Sequence, residues 1–219
     1  MPDNHHAAET ADHLWDIQAV NFRPDEPFTL TSGKKSPVYV DCRKIIAFPR
    51  ARTAITAMAV DLIARKIGRE NLDAIAGGET AGIPFAAWIA DRMDLPMLYV
   101  RKQPKGFGRM AQIEGEMAEG ARVLLVEDLA TDAGSKLAFV EAMRQAGAKV
   151  SDCFVVFHYG IFPASTAKLA EIDVRLHGLT TWRDVLASAR RGGHFDEAAL
   201  SAVEEFLDDP EGWQSRHQD

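Results

Sequence analysis

The chain has 219 residues, with 25 Lys and Arg against 32 Asp and Glu, a formal net charge of −7. That balance disfavours broad nucleic-acid binding, and no apolar run nears the ~20 residues of a membrane helix. The hydrophobic share of 47% is ordinary for a folded α/β chain.

In chain order, a polar lead precedes a short helix expected around Ala11 to Ile17. His5, His6 and His13 show no metal-ligand spacing and read as solvated. Phe28 to Thr31 and Val38 to Asp41 read as the strands of a hairpin, with turn chemistry at Ser32-Gly33 and Ser36-Pro37. Pro49 to Ile67 carries Ile55, Met58, Ala59, Leu62 and Ile63 at helical spacing and stops at Gly68. Asp73 to Ala76 is a short strand entering the loop Gly77-Gly78-Glu79-Thr80-Ala81-Gly82, followed by a helix from about Ile83 to Arg92. The loop lacks the Gly-Lys-Ser/Thr ending of a nucleoside-triphosphate loop. Met97 to Val100 is the next strand.

A basic segment follows in this acidic chain: Arg101, Lys102, Lys105 and Arg109, interleaved with Pro104, Gly106 and Gly108. The breakers disfavour regular structure, so residues 101–115 read as a mobile loop. Such a loop either is a solvated turn or closes over a polyanion. After Gly120 comes Arg122-Val123-Leu124-Leu125-Val126-Glu127-Asp128, an apolar run ending in two acids. A short run without polar alternation fits a strand buried on both faces of a parallel sheet. Leu129 to Ser135 would turn the chain into a helix capped by Ser135. Backbone N–H groups of that turn suit a phosphate, and Glu127 and Asp128 beside it suit sugar hydroxyls or a metal. Phosphate plus diol points to a phosphorylated ribose. Val150 to Phe157 and Val174 to Leu179 are further strands, Thr181 caps a helix through Leu186, and Phe195 to Leu207 is a C-terminal helix before a loose acidic tail. Cys42 and Cys153 form no CxxC pair, which fits a reduced, cytoplasmic setting.

The stretch from Val123 to Ser135 resembles the phosphoribosyl diphosphate motif of type I phosphoribosyltransferases, with Asp132 where Thr is usual and Ala133 where Gly is usual. Phe28-x-Leu30-x-Ser32-Gly33-x-x-Ser36-Pro37-x-Tyr39 is similar to the hood segment of orotate phosphoribosyltransferases, and Arg101-Lys102-x-x-Lys105 to their basic loop. The resemblance, from about Phe28 to Phe157, implies an open, mostly parallel α/β sheet flanked by helices, with a small N-terminal hood. It implies one domain: helix and hood over 1–45, core over 46–180, C-terminal helices and tail over 181–219.

It also implies roles. Glu127 and Asp128 hold the ribose. Thr131, Asp132, Ala133, Gly134 and Ser135 grip the 5′-phosphate, Leu129 and Ala130 before them belong to the substrate site, and Thr80 and Ala81 face the diphosphate. Arg101, Lys102 and Lys105, with Asp128, serve catalysis with Mg²⁺, and no side chain is assigned to the metal. Tyr39 and Val40 lie by the pyrimidine, and Thr31 belongs to the substrate site. The family's lysine before Ser-Gly is Thr31 here, its loop histidine is Phe107, and its lysine after Thr80 is Ala81. The arginine expected after Phe157 is missing, leaving His158, Tyr159 or a backbone amide to meet the orotate carboxylate. The implied enzyme makes orotidine monophosphate for pyrimidine synthesis and is a homodimer sharing the basic loop. The alternatives are transfer to another base, or a non-catalytic sensor of phosphoribosyl diphosphate.

Overall fold

The computed structural model describes residues 4–30, 33–106, 108, 112–131, 133–193 and 195–217, and not the side chains of Asn4 and Ala164. Expectations for Thr31, Phe107 and Asp132 therefore lie outside the described residues.

The chain begins with α1 (Asn4–Asp16), β1 (Val20–Phe22), β2 (Phe28–Thr29), β3 (Lys35–Ser36) and β4 (Val38–Val40). A 3-10 turn at Cys42–Ala47 leads into α2 (Pro49–Lys66). Then follow β5 (Ala74–Gly78), α3 (Gly82–Met93), β6 (Met97–Val100), β7 (Ile113–Glu114), β8 (Val123–Ala130), α4 (Gly134–Gln145) and β9 (Asp152–His158). The chain closes with α5 (Pro163–Ala170), β10 (Arg175–Thr181), α6 (Trp182–Gly192), α7 (Glu197–Asp208) and α8 (Pro210–Arg216).

The main sheet has the order β10-β9-β8-β5-β6-β7, parallel except for β7, as the α/β reading requires. From β5 the chain crosses outward to β6; from β8 it crosses the other way to β9 and β10. The switch point lies between β5 and β8, where open α/β sheets bind ligands. Both faces of β8 are buried. Leu124 and Val126 join the core beneath α1, α2, α3 and α6, while Val123 and Leu125 join the core beneath α4. That is why the run carries no polar alternation.

Five expectations need correction. Val38–Val40 pairs with β1, while Phe28–Thr29 pairs with Lys35–Ser36, so the hood is two small ribbons rather than one hairpin. The first helix starts at Asn4 rather than near Ala11, because Thr10, Ala11 and Leu14 are buried and Thr180 donates to the Ala7 carbonyl. Ser135 does not cap α4. Ala133, at φ 66°, holds the cap position without a side-chain bond, and the helix starts at Gly134. The far arm of the basic segment is not irregular: Ile113–Glu114 pairs antiparallel with Tyr99–Val100. The tail is not loose. Asp209 caps α8, and Trp213 is buried edge-on against Phe206 with ring centroids 5.3 Å apart. Thr181 does cap α6, in a capping box with Asp184, and that helix runs on to Gly192. No helix among the described residues is long and apolar enough to cross a membrane.

Candidate active site

At the switch point the register sets Gly77 of β5 against Val126 of β8, so Gly78 and Glu127 come side by side where β5 ends, while β8 runs on beside β9 to Ala130. The glycines are needed there. A Cβ on Gly78 would stand 2.6 Å from Phe139 and 2.8 Å from the Glu127 carboxyl carbon, and one on Gly82 would stand 2.7 Å from Glu127 Oε1. The turn after β5 also holds the cis peptide Glu79–Thr80. Thr80 is exposed above it and Ala81 is buried.

Glu127 and Asp128 are both buried, 6% and 7% exposed. Burial pushes the Glu127 carboxyl up to about 7, opposed chiefly by Lys136, whose Nζ lies 3.6 Å from Oε2. The other oxygen, Oε1, is buried without a hydrogen-bond partner. Asp128 is also raised by burial; it accepts from the Leu129 N–H and faces Arg43 Nε at 3.9 Å.

Beyond them Leu129 and Ala130 finish β8, Thr131 and Ala133 lie in the turn, and Gly134 and Ser135 start α4, both exposed. A helix N-terminus of this kind turns backbone N–H groups toward an anion. His158 ends β9 opposite Ala130 and reaches Ser165 Oγ at 3.4 Å. Burial lowers its pKa, so the ring is neutral near pH 7 and makes a poor counter-ion for a carboxylate. In the hood, Tyr39 is 41% exposed and contacts the Phe28 ring at 5.4 Å, whereas the Val40 side chain is buried in the core.

The basic segment divides by role in the structure. Arg101 is tied at its base to Glu114 at 3.2 Å. The Lys102 N–H donates to Glu79 Oε2 at 2.8 Å, joining the segment to the β5 turn. Lys105 is exposed.

Residues 45–176 match the Phosphoribosyl transferase domain family. The chain is 59% identical over 207 residues to an orotate phosphoribosyltransferase of Jannaschia sp. (strain CCS1), covering 94% of this chain and 91% of that protein. The chain belongs to the orotate phosphoribosyltransferase family. Its fold superposes on the orotate phosphoribosyltransferase of Aeropyrum pernix with a TM-score of 0.71 at 28% identity, over 85% of this chain and 99% of that one. It is also similar to the Leishmania donovani UMP synthase, with a TM-score of 0.77 at 27% identity, over 92% of this chain but 42% of that longer chain.

Two residues by the family's acid pair, Lys136 and Arg43, escaped the sequence reading, as did Glu79 at the root of the basic segment. One signal was available for Lys136. It occupies the first position of the row Lys136, Phe139, Val140, Met143, where helical spacing calls for an apolar side chain.

Proposed function

We propose that this chain transfers the phosphoribosyl group of phosphoribosyl diphosphate to orotate, giving orotidine monophosphate and diphosphate in de novo pyrimidine synthesis. The observation that carries this is the buried Glu127-Asp128 pair at the switch point, between the turn into α4 and the glycine turn after β5. The likeness to orotate phosphoribosyltransferases along nearly the whole chain supports orotate as the base.

In this reading the N–H groups from Thr131 to Ser135 take the 5′-phosphate, and Glu127 and Asp128 accept from the ribose hydroxyls. Their negative charge favours a ribose ring that becomes cation-like as the bond to diphosphate breaks. Thr80 and the turn around it face the diphosphate, and Lys102 and Lys105 close over it with Arg101 at the hinge. Tyr39 covers the pyrimidine, Val40 contributes backbone alone, and neutral His158 serves as a hydrogen-bonding rather than an ionic partner.

Among the described residues no three His, Cys, Asp or Glu side chains cluster as metal ligands. Glu127 and Asp128 are hard oxygen donors of the kind Mg²⁺ takes, and the ion, when bound, would supply positive charge to the leaving diphosphate. The reading includes a homodimer sharing the basic segment, supported by the exposed apolar side chains Tyr39, Ile46 and Phe48 on and beside the hood. It includes a cytoplasmic setting, supported by the buried free thiols Cys42 and Cys153. It also treats the whole chain as one catalytic domain, supported by α1, α6 and α7 sharing a core with the sheet.

The test is loss of orotate absorbance on adding phosphoribosyl diphosphate and Mg²⁺, with adenine, hypoxanthine and uracil assayed in parallel. Turnover with orotate alone is expected. Turnover with another base alone, or tight binding of phosphoribosyl diphosphate without turnover, would overturn the assignment.

A further inference from the structure

We propose that Lys136 is a positioning residue for phosphoribosyl transfer: its buried Nζ bridges Ser135 of the phosphate turn and Glu127 of the acid pair, and holds the Glu127 carboxylate in place for the ribose. The proposal rests on Glu127 being the ribose-binding acid of the reading above.

Helix α4 buries Lys136, Phe139, Val140, Ala142 and Met143. Four of these are apolar, and the fifth is a lysine only 5% exposed. A lysine is rarely buried to that extent without a partner, because its desolvation must be offset. Here Nζ lies 3.6 Å from Glu127 Oε2 and 3.4 Å from Ser135 Oγ. A plain structural salt bridge would leave both carboxylate oxygens satisfied. Oε1 is buried and unpartnered, packed into the space that side chains on Gly78 and Gly82 would fill. The lysine therefore ties Glu127 to the phosphate turn through one oxygen, while the other lies against the glycine turn after β5.

The charged and titratable groups facing Glu127 are few. Asp128 lies next to it on β8, Lys136 reaches in from α4, and Lys102 stands at the root of the basic segment. Cys153 on β9 is pushed up to about 12 by burial and stays neutral. Among these Lys136 is the leading influence that favours the ionised form against burial. With Lys136 in place the carboxyl stands at about 7; without it burial would raise it further, and Glu127 would be mostly protonated near neutral pH. It would then lose both its charge beside the cation-like ribose and an acceptor for the hydroxyl.

The experiment measures calorimetric binding of phosphoribosyl diphosphate, and kcat/KM, from about pH 6 to about pH 9 for the native protein, Lys136→Met, Lys136→Arg and Glu127→Gln. Each unit by which the acid limb moves is a tenfold change on its acid side. Lys136→Met is expected to bind more than about tenfold more weakly near pH 7 and to recover as the pH rises. Lys136→Arg should keep the native limb, and Glu127→Gln should lose it. A folded Lys136→Met weakened by the same factor at every pH would reduce Lys136 to a structural role and overturn the proposal. If Lys136→Met does not fold, Glu127→Gln decides, because retention of the native limb in that variant overturns the proposal equally. Absence of orotate turnover by the native protein would sink the functional reading, while the binding limb would still report on Lys136.

Discussion

The backbone N–H of Lys102 donates to the Glu79 carboxylate at 2.8 Å, so the root of the basic segment is fastened to the turn that ends β5. A hydrogen bond to a charged acceptor contributes about 1.5–3 kcal/mol. Glu79→Ala is expected to raise KM for phosphoribosyl diphosphate by about tenfold with a smaller change in kcat, measured by steady-state kinetics. An unchanged KM would show that this tether does not position the segment.

Lys105 lies further out on the same segment and is exposed. Losing one charge-stabilising contact in a closed site removes about 3 kcal/mol of barrier lowering. Lys105→Ala should therefore lower kcat by about a hundredfold while leaving the thermal midpoint in place. Near-normal turnover would sink the closing role of the segment.

Gly78 leaves no room for a side chain, since a Cβ there meets Phe139 at 2.6 Å and the Glu127 carboxyl carbon at 2.8 Å. Gly78→Ala should destabilise the fold by about 1–3 kcal/mol through overpacking and weaken phosphoribosyl diphosphate binding by displacing Glu127. Urea unfolding and calorimetry read the two effects separately.

Away from the site, at the start of β9, Asp152 is 6% exposed and accepts from His177 Nε2 at 2.7 Å and Arg175 Nη2 at 2.9 Å. Burial pushes its carboxyl up, but the bonds from His177 and Arg175 outweigh that and hold it below the ordinary carboxylate value. A depressed folded pKa stabilises the protein above the unfolded value of about 4, and that stability is lost as pH falls through the folded pKa. Asp152→Asn is expected to lose about 1–3 kcal/mol at neutral pH, with the gap to the native protein narrowing under acid. Urea midpoints at neutral and acidic pH check this; a gap that widens in acid would contradict the assignment.

Much of the core was legible because its signals are local. The unbroken run Val123 to Val126 needs both faces covered wherever the strand lies, and it lies between β5 and β9. The Thr181 cap, the Pro49 start and the Gly68 stop of the helices likewise depend on neighbours a few residues away. The hood failed for the opposite reason. Val38 to Val40 alternates like any hairpin arm, and nothing within that segment names Val20 to Phe22 as its partner. The acidic residues of the tail concealed Trp213, whose burial depends on Phe206 of α7.

By itself the sequence determined the parallel α/β class, the acid pair at a strand end, the glycine turn and the basic segment, because periodicity, breakers and charge are properties of short stretches. Only the tertiary structure decided which cations attend the acids, Lys136 on Glu127 and Arg43 on Asp128, and that Glu79 holds the backbone of Lys102. It also decided that Ala133 takes a left-handed conformation and that Ser135 sits within the first turn rather than capping it. Burial, and with it the ionisation of a carboxylate, is set by groups from separate elements that close on one point, and no single stretch of chain encodes that convergence.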